Sequence, residues 1–226
     1  MVIIEALLNK DDLARYRSTL EKANWNDGKS TAMGMAASVK RNSQADARDP
    51  QVISLANQLL GKLGNHPKLI SSALPQRIFP PCFNRYAQDE SYGFHVDAAI
   101  MRIPGSPDVL RSDVSSTVFL NEPEEYDGGE LIIQTEFKEQ SVKLNAGDAV
   151  VYPSSSLHKV TPVTRGERLA AITWMQSMIA DTSLRQTLYE LDQSIQNLMT
   201  TGQVDRHELD RLHHVYHNLI RQFASV

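Results

Sequence analysis

Apolar positions fall into three textures along the chain. From Asn9 to Ala23, Leu13, Tyr16 and Leu20 recur at helical spacing behind Asn9 or Asp11 as a cap, which predicts an amphipathic helix. The polar runs NDGKSTAMG and SVKRNSQADARDP, closed by Pro50, predict turns and loop. Val52, Leu55, Leu59, Leu60 and Leu63 then mark a second helix ending at Gly64 or Asn65, and residues 67–74 suit a short third. From Pro80 the pattern changes to short β-branched and aromatic runs at close intervals. Strands are expected near 83–87, 93–98, 115–120, 129–134, 141–144, 149–152, 158–160 and 168–175, with turns at EEYDGG, NAGD and TRGE. Short strands without long helices between them predict an antiparallel jelly roll. After Asp181 the helical period returns. Leu184, Leu188, Leu191, Ile195 and Leu198, then Leu209, Leu212, Tyr216, Leu219 and Phe223, predict an αα-hairpin broken between Thr200 and Asp205.

The expected fold is therefore α+β. A double-stranded β-helix (jelly-roll) domain over residues 80–179 follows an N-terminal helical and strand support region, 1–79, and precedes the helical hairpin, 180–226. The hairpin stripes fit packing on the β core or on a second copy in a homodimer.

Composition narrows the function classes. With 23 Lys+Arg against 27 Asp+Glu, the formal charge of -4 gives no general pull toward nucleic acid or anionic lipid. Cys82 is the one cysteine, which excludes an internal disulfide and any zinc site built from several thiolates. The opening MVIIEALLNKDD lacks a basic n-region, and no apolar run approaches the roughly 20 residues of a bilayer span. These features predict a cytoplasmic protein with neither membrane nor nucleic-acid partners.

Candidate chemistry begins in SYGFHVD. In a strand, His95 and Asp97 point to one face about 7 Å apart, close enough to converge on one ion. His158, after the turn-rich PSSSL, is the candidate third donor. Two histidines and a carboxylate make the facial triad of non-haem Fe(II) oxygenases, which leaves positions open for substrates. Arg168, ten residues beyond His158, heads the strand RLAAITWM, expected to neighbour that of His158 across the TRGE turn. An inward guanidinium in an apolar strand requires an anion, and its fork suits a carboxylate. Tyr86 reads equally as core packing or as an active-site hydrogen-bonding group. His213, His214 and His217 lack an acidic companion and read as a polar helix face; Cys82 reads as a small buried residue.

The order HVD, YDGGEL, then AGDAVVYPSSSLHKVTPVTRGERLAAITW resembles the iron and 2-oxoglutarate dependent dioxygenases of the prolyl 4-hydroxylase type. With WNDGKSTAM, FNRY and the C-terminal helical pair, the chain is more closely similar to the bacterial PKHD-type hydroxylases, often associated with iron uptake. That resemblance implies His95, Asp97 and His158 as Fe(2+) ligands and Arg168 as partner of the distal carboxylate of 2-oxoglutarate. It also implies a cosubstrate-facing role for Tyr86 and L-ascorbate as reductant. The implied reaction hydroxylates an unactivated C–H bond with dioxygen, releasing succinate and carbon dioxide. The substrate class stays open between a peptidyl and a siderophore-related molecule. The loop Gln88-Asp89-Glu90 is more acidic than the family pattern, and it is expected to border the mouth of the site and bear on substrate preference.

Two other classes fit parts of the pattern. A jelly-roll metal-binding or sensing module would keep the ligands without turnover, but has no use for an inward Arg168. A cupin-like metalloenzyme would present more histidines and lacks the order from HxD through H to R.

Overall fold

The computed structural model describes residues 1–31, 34–135 and 137–226, so Ala32 and Met33 of the WNDGKSTAM segment lie outside the described residues. In chain order the strands are β1 (Val2–Ile4), β2 (Trp25–Asp27), β3 (Lys40–Arg41), β4 (Ser43–Ala45), β5 (Pro75–Ile78), β6 (Cys82–Tyr86), β7 (Ser91–His95), β8 (Ile100–Arg102), β9 (Val109–Arg111), β10 (Val114–Phe119), β11 (Asp127–Gly128), β12 (Leu131–Gln134), β13 (Glu139–Val142), β14 (Ala149–Pro153), β15 (His158–Val160), β16 (Val163–Arg165) and β17 (Arg168–Ser177). The helices are α1 (Lys10–Glu21), α2 (Met35–Ser38), α3 (Pro50–Asn65), α4 (Pro67–Ala73), α5 (Thr182–Thr201) and α6 (Arg206–Phe223).

Two antiparallel sheets face each other. The larger runs β1-β14-β10-β17-β6-β4-β2, with β5 also on β17; the smaller runs β13-β12-β15-β7-β3. Between them lie Tyr86, Phe119, Leu131, Ile133, Val142, Val150, Tyr152, Val160 and Val163. The outer face of the larger sheet is covered by the N-terminal helices. α1 starts at a capping box in which the Asp12 N–H donates to Asn9 Oδ1 (2.9 Å) and the Asn9 N–H donates to Asp12 Oδ2 (3.2 Å). α3 starts at Asp49, with Pro50 in its first turn, and buries Val52, Leu55, Ala56, Leu59 and Leu63. These side chains meet Val114, Val118, Ala171 and Met175 from the sheet. β10 and much of β17 are therefore covered on both faces, which is why VSSTVF in β10 is buried throughout and does not alternate with exposed positions.

The C-terminal helices form the expected hairpin. Leu188, Ile195 and Tyr216 bury against Leu74 and Ile179, so the pair rests on the body of the same chain through α4.

The sequence reading did not foresee β5, β8, β9, β11 or β16, and it differs at three further points that bear on the site. The polar region read as loop contains β2, β3 and β4, and these extend both sheets. β7 ends at His95, so Asp97 lies just past the strand and not on it. β17 does not neighbour β15: residues 161–167 cross between the sheets, with β16 pairing to β11, and β17 lies between β10 and β6. Arg168 consequently approaches the interior from the sheet opposite His158.

Candidate active site

His95 and His158 are opposite each other in the β7–β15 register, and their ring centres are 4.2 Å apart. Asp97 reaches them from the segment after β7. One ligand atom from each of His95, Asp97 and His158 falls within 4.8 Å of the others. Both rings are oriented by backbone: His95 Nδ1 lies 2.8 Å from the Gly93 carbonyl and His158 Nδ1 lies 2.9 Å from that of Ser156. A carbonyl only accepts, so both Nδ1 atoms carry the proton and both Nε2 lone pairs are free. Burial, reinforced by neighbouring His158, pushes the His95 pKa down to about 4, which keeps the ring neutral near pH 7.

Asp97 is tethered on one side. Ser115 on β10 donates to Asp97 Oδ2 (2.6 Å) and lies 2.7 Å from the buried Ser154 hydroxyl, while Asp97 Oδ1 faces His158 Nε2 at 3.8 Å. The donor set is thus two imidazole nitrogens and one carboxylate oxygen, of the right type for a hard-to-borderline divalent metal such as Fe(II). The carbonyls of Gly93 and Ser156 and the Ser115 hydroxyl orient these donors from behind.

At the Arg168 end, β17 pairs with β6 so that Arg168 lies opposite Tyr86. Arg168 is only 2% exposed, its guanidinium carbon stands 5.2 Å from the Tyr86 ring centre and 5.4 Å from that of Phe119, and its Nε has no hydrogen-bond partner. No carboxylate pairs with it among the described residues. The buried Tyr126 phenol stands beside the guanidinium, and Arg168 opposes the raising of its pKa by burial. Burial raises the Tyr86 phenol to about 12 against the lowering effect of Arg168, so Tyr86 is neutral and able to donate. Tyr152 connects the two ends: its ring stands 5.3 Å from His158, and burial, then Asp97, drive its pKa well up while Arg168 opposes.

The GG of YDGGEL has a role here. Gly129, at φ +65°, leaves little room for a Cβ, which would stand 3.1 Å from both Arg168 Cδ and the Tyr126 ring. The motif lets the backbone close over the guanidinium.

All four principal sequence-predicted residues, together with Tyr86, line the interior between the sheets. Sequence reasoning missed Ser115 and Tyr126. A small hydroxyl inside a strand is the signal for Ser115; Tyr126 belongs to YDGGEL, which is read for its turn and its family likeness and not for a site role. His213 and His217 stack at 6.3 Å on α6, and among the described residues no acidic group completes a metal cluster with them. Cys82 is held by burial at a pKa of about 11 and is not an activated thiol. The loop Gln88-Asp89-Glu90 is tied to Val163 by backbone hydrogen bonds and joins β7 at the end away from His95.

Residues 81–176 match the 2OG-Fe(II) oxygenase superfamily, and residues 183–225 match the PKHD-type hydroxylase C-terminal domain. A PKHD-type hydroxylase of Shewanella frigidimarina is 67% identical over 226 residues, covering 100% of both chains; one of Alteromonas mediterranea is 65% identical over the same span, again covering 100% of both. Among solved structures, a Trichoplax adhaerens prolyl hydroxylase in complex with a hypoxia inducible factor peptide fragment aligns with TM-score 0.53 at 14% identity, covering 78% of this chain and 83% of that one. A Burkholderia pseudomallei oxidoreductase of the 2OG-Fe(II) oxygenase family aligns with TM-score 0.51 at 18% identity, covering 77% and 83%. These structural likenesses agree with the jelly-roll fold. The identity across the full chain goes further: this protein belongs to the PKHD-type hydroxylases, oxidoreductases of the 2OG-Fe(II) oxygenase superfamily.

Proposed function

We propose that His95, Asp97 and His158 hold Fe(II) and that Arg168 receives the distal carboxylate of 2-oxoglutarate. The reading makes the protein a dioxygenase that hydroxylates an unactivated C–H bond of a primary substrate. Dioxygen and 2-oxoglutarate are consumed, and succinate and carbon dioxide are released. The observation that carries it is Arg168, a buried guanidinium without a carboxylate partner on the sheet opposite the three metal-type donors. Leaving such a charge unpaired is costly, and a dicarboxylate spanning from the metal to Arg168 removes the cost.

The chain's own groups have separable tasks. The neutral phenols of Tyr86 and Tyr126 are in position to hydrogen-bond the carboxylate beside Arg168. The Gly93 and Ser156 carbonyls keep both histidines in the ligand tautomer, and Ser115 holds Asp97 so that a single oxygen is presented. Phe119, Val150, Val160 and Leu131 exclude water around the bound cosubstrate. The bound iron supplies oxygen activation. L-Ascorbate is the proposed reductant that returns oxidised iron to Fe(II), and the work is assigned to the cytoplasm.

Anaerobic titration with Fe(II) and 2-oxoglutarate tests the reading through the visible metal-to-ligand charge-transfer band. The wild type should develop the band; His95→Ala should abolish it, and Arg168→Met should require at least tenfold more 2-oxoglutarate, the loss expected for a charge-assisted pair. A wild type that binds Fe(II) yet shows no band with 2-oxoglutarate favours the metal-sensing module instead.

A further inference from the structure

The barrel interior holds a second set of buried polar groups, separate from the metal donors and from Arg168. β3 lies against β7 with Lys40 opposite Tyr92, and the Lys40 ammonium stands 5.3 Å from the centre of the Tyr92 ring. That ring in turn stacks on His95 with centres 3.5 Å apart. Lys40 is 4% exposed and donates to Thr31 Oγ1 at 3.0 Å. Its ammonium has three donors, and among the described residues no carboxylate pairs with it. Lys62 shows the contrast, meeting Asp12 at 2.6 Å. Burial lowers the Lys40 pKa against the opposing fields of Cys82, Asp27 and Asp97, which also places the ammonium within electrostatic range of the triad.

Two amides accompany it. Asn42 follows Lys40 by two residues and lies by the Tyr86 phenol; Asn84 shares the β6 face of Tyr86, two residues away. Both are buried; Asn84 Oδ1 has no hydrogen-bond partner, and the Tyr86 phenol is the one polar side chain that reaches the Asn42 amide among the described residues, leaving that amide only partly satisfied. Buried amides ordinarily find partners, so these groups retain capacity for one.

We propose that Lys40, flanked by Asn42 and Asn84, anchors the primary substrate, and that this substrate carries a carboxylate. The inference rests on the dioxygenase reading, in which Arg168 already serves the distal carboxylate of 2-oxoglutarate. Lys40 therefore needs a different anion. A single ammonium with neutral amides beside it matches one negative charge and two oxygens, the pattern of a carboxylate, and not the higher charge of a phosphate. The carboxylate end sits at Lys40, next to the Tyr92–His95 stack, which leaves the adjoining carbons of the substrate over the metal donors.

The test uses the full-length protein loaded with Fe(II) and 2-oxoglutarate under argon, with the charge-transfer band as reporter of substrate docking. Matched probes differ only in charge: N-acetylleucine against N-acetylleucinamide for an α-carboxylate, and N-acetylglutamic acid α-amide against its diamide for a side-chain carboxylate. At least one carboxylate probe should perturb the band while its amide does not, and the arm that responds tells which carboxylate is read. Lys40→Met should still form the band with 2-oxoglutarate but bind the responding probe about thirtyfold more weakly, the loss that follows when one partner of a buried charge pair is truncated. Lys40→Arg should restore part of that loss and serves as the folding control. The inference is overturned if neither carboxylate probe is preferred over its amide, if Lys40→Met keeps the preference, or if Lys40→Met loses the 2-oxoglutarate band itself, which would make Lys40 a cosubstrate residue. Absence of the band in the wild type sinks the dioxygenase reading, and this inference with it.

Discussion

Ser115 is the second residue of β10 and yet governs the geometry of a residue that follows β7, a strand of the facing sheet. Its hydroxyl occupies Asp97 Oδ2 and so leaves Oδ1 as the free oxygen toward His158. Because Asp97 lies past the end of β7, no ladder fixes its backbone, and the serine supplies the missing constraint. Ser115→Ala should therefore weaken Fe(II) binding by about 10- to 100-fold, the usual cost of losing a partner behind a metal ligand. The thermal midpoint should fall as well, because the hydroxyl gives way to hydrogen and Asp97 and Ser154 each lose a buried partner at a cost of about 1–3 kcal/mol; calorimetry beside equilibrium metal titration separates the two effects. His95, Asp97, His158 and Arg168 could be picked out of the sequence by their order together with GGEL and GD, a combination that resembles a known family, although HxD alone is a common pair. Ser115 could not, because a serine in a strand has many commonplace explanations and its partner lies 18 residues away.

The same contrast holds for whole elements. α1, α3, α5 and α6 are legible because each buries one stripe at helical period, and β6, β7, β10, β12, β13, β14, β15 and β17 because β-branched runs alternate with turn residues. β2, β3 and β4 were illegible for a physical reason. They span two or three residues each, and the buried positions Lys40, Asn42 and Gln44 are polar, which inverts the usual pattern of apolar in and polar out. The inversion arises where the sheets border the site, so polarity that reads as loop is polarity facing a binding space. The turn before β12 is a second element whose shape serves the site. Gly129→Ala places a methyl against Arg168 and Tyr126 at a backbone angle that costs an L-residue about 1–2 kcal/mol. The expected result is a raised 2-oxoglutarate requirement in the charge-transfer titration together with a lower melting temperature.

At the scale of the molecule there are three buried clusters: the helices on the larger sheet, the interior between the sheets, and the C-terminal pair, which joins the first through α4. Sequence periodicity left open whether that pair meets the body or a second copy; Leu74 and Ile179 show it seated on its own chain. No helix among the described residues is long and apolar enough to cross a membrane.

Residues 40–45 run along the borders of both sheets in succession, β3 against β7 and β4 against β6. In a chain beginning at residue 80, β6 and β7 would become outermost strands with bare backbone donors and acceptors. Such borders recruit neighbouring molecules in solution. Residues 80–179 produced alone should thus self-associate, with light scattering rising with concentration, whereas the 226-residue chain at the same concentration should not. The oxygenase segment, residues 81–176, would thus depend on the short polar strands ahead of it to cover its sheet borders.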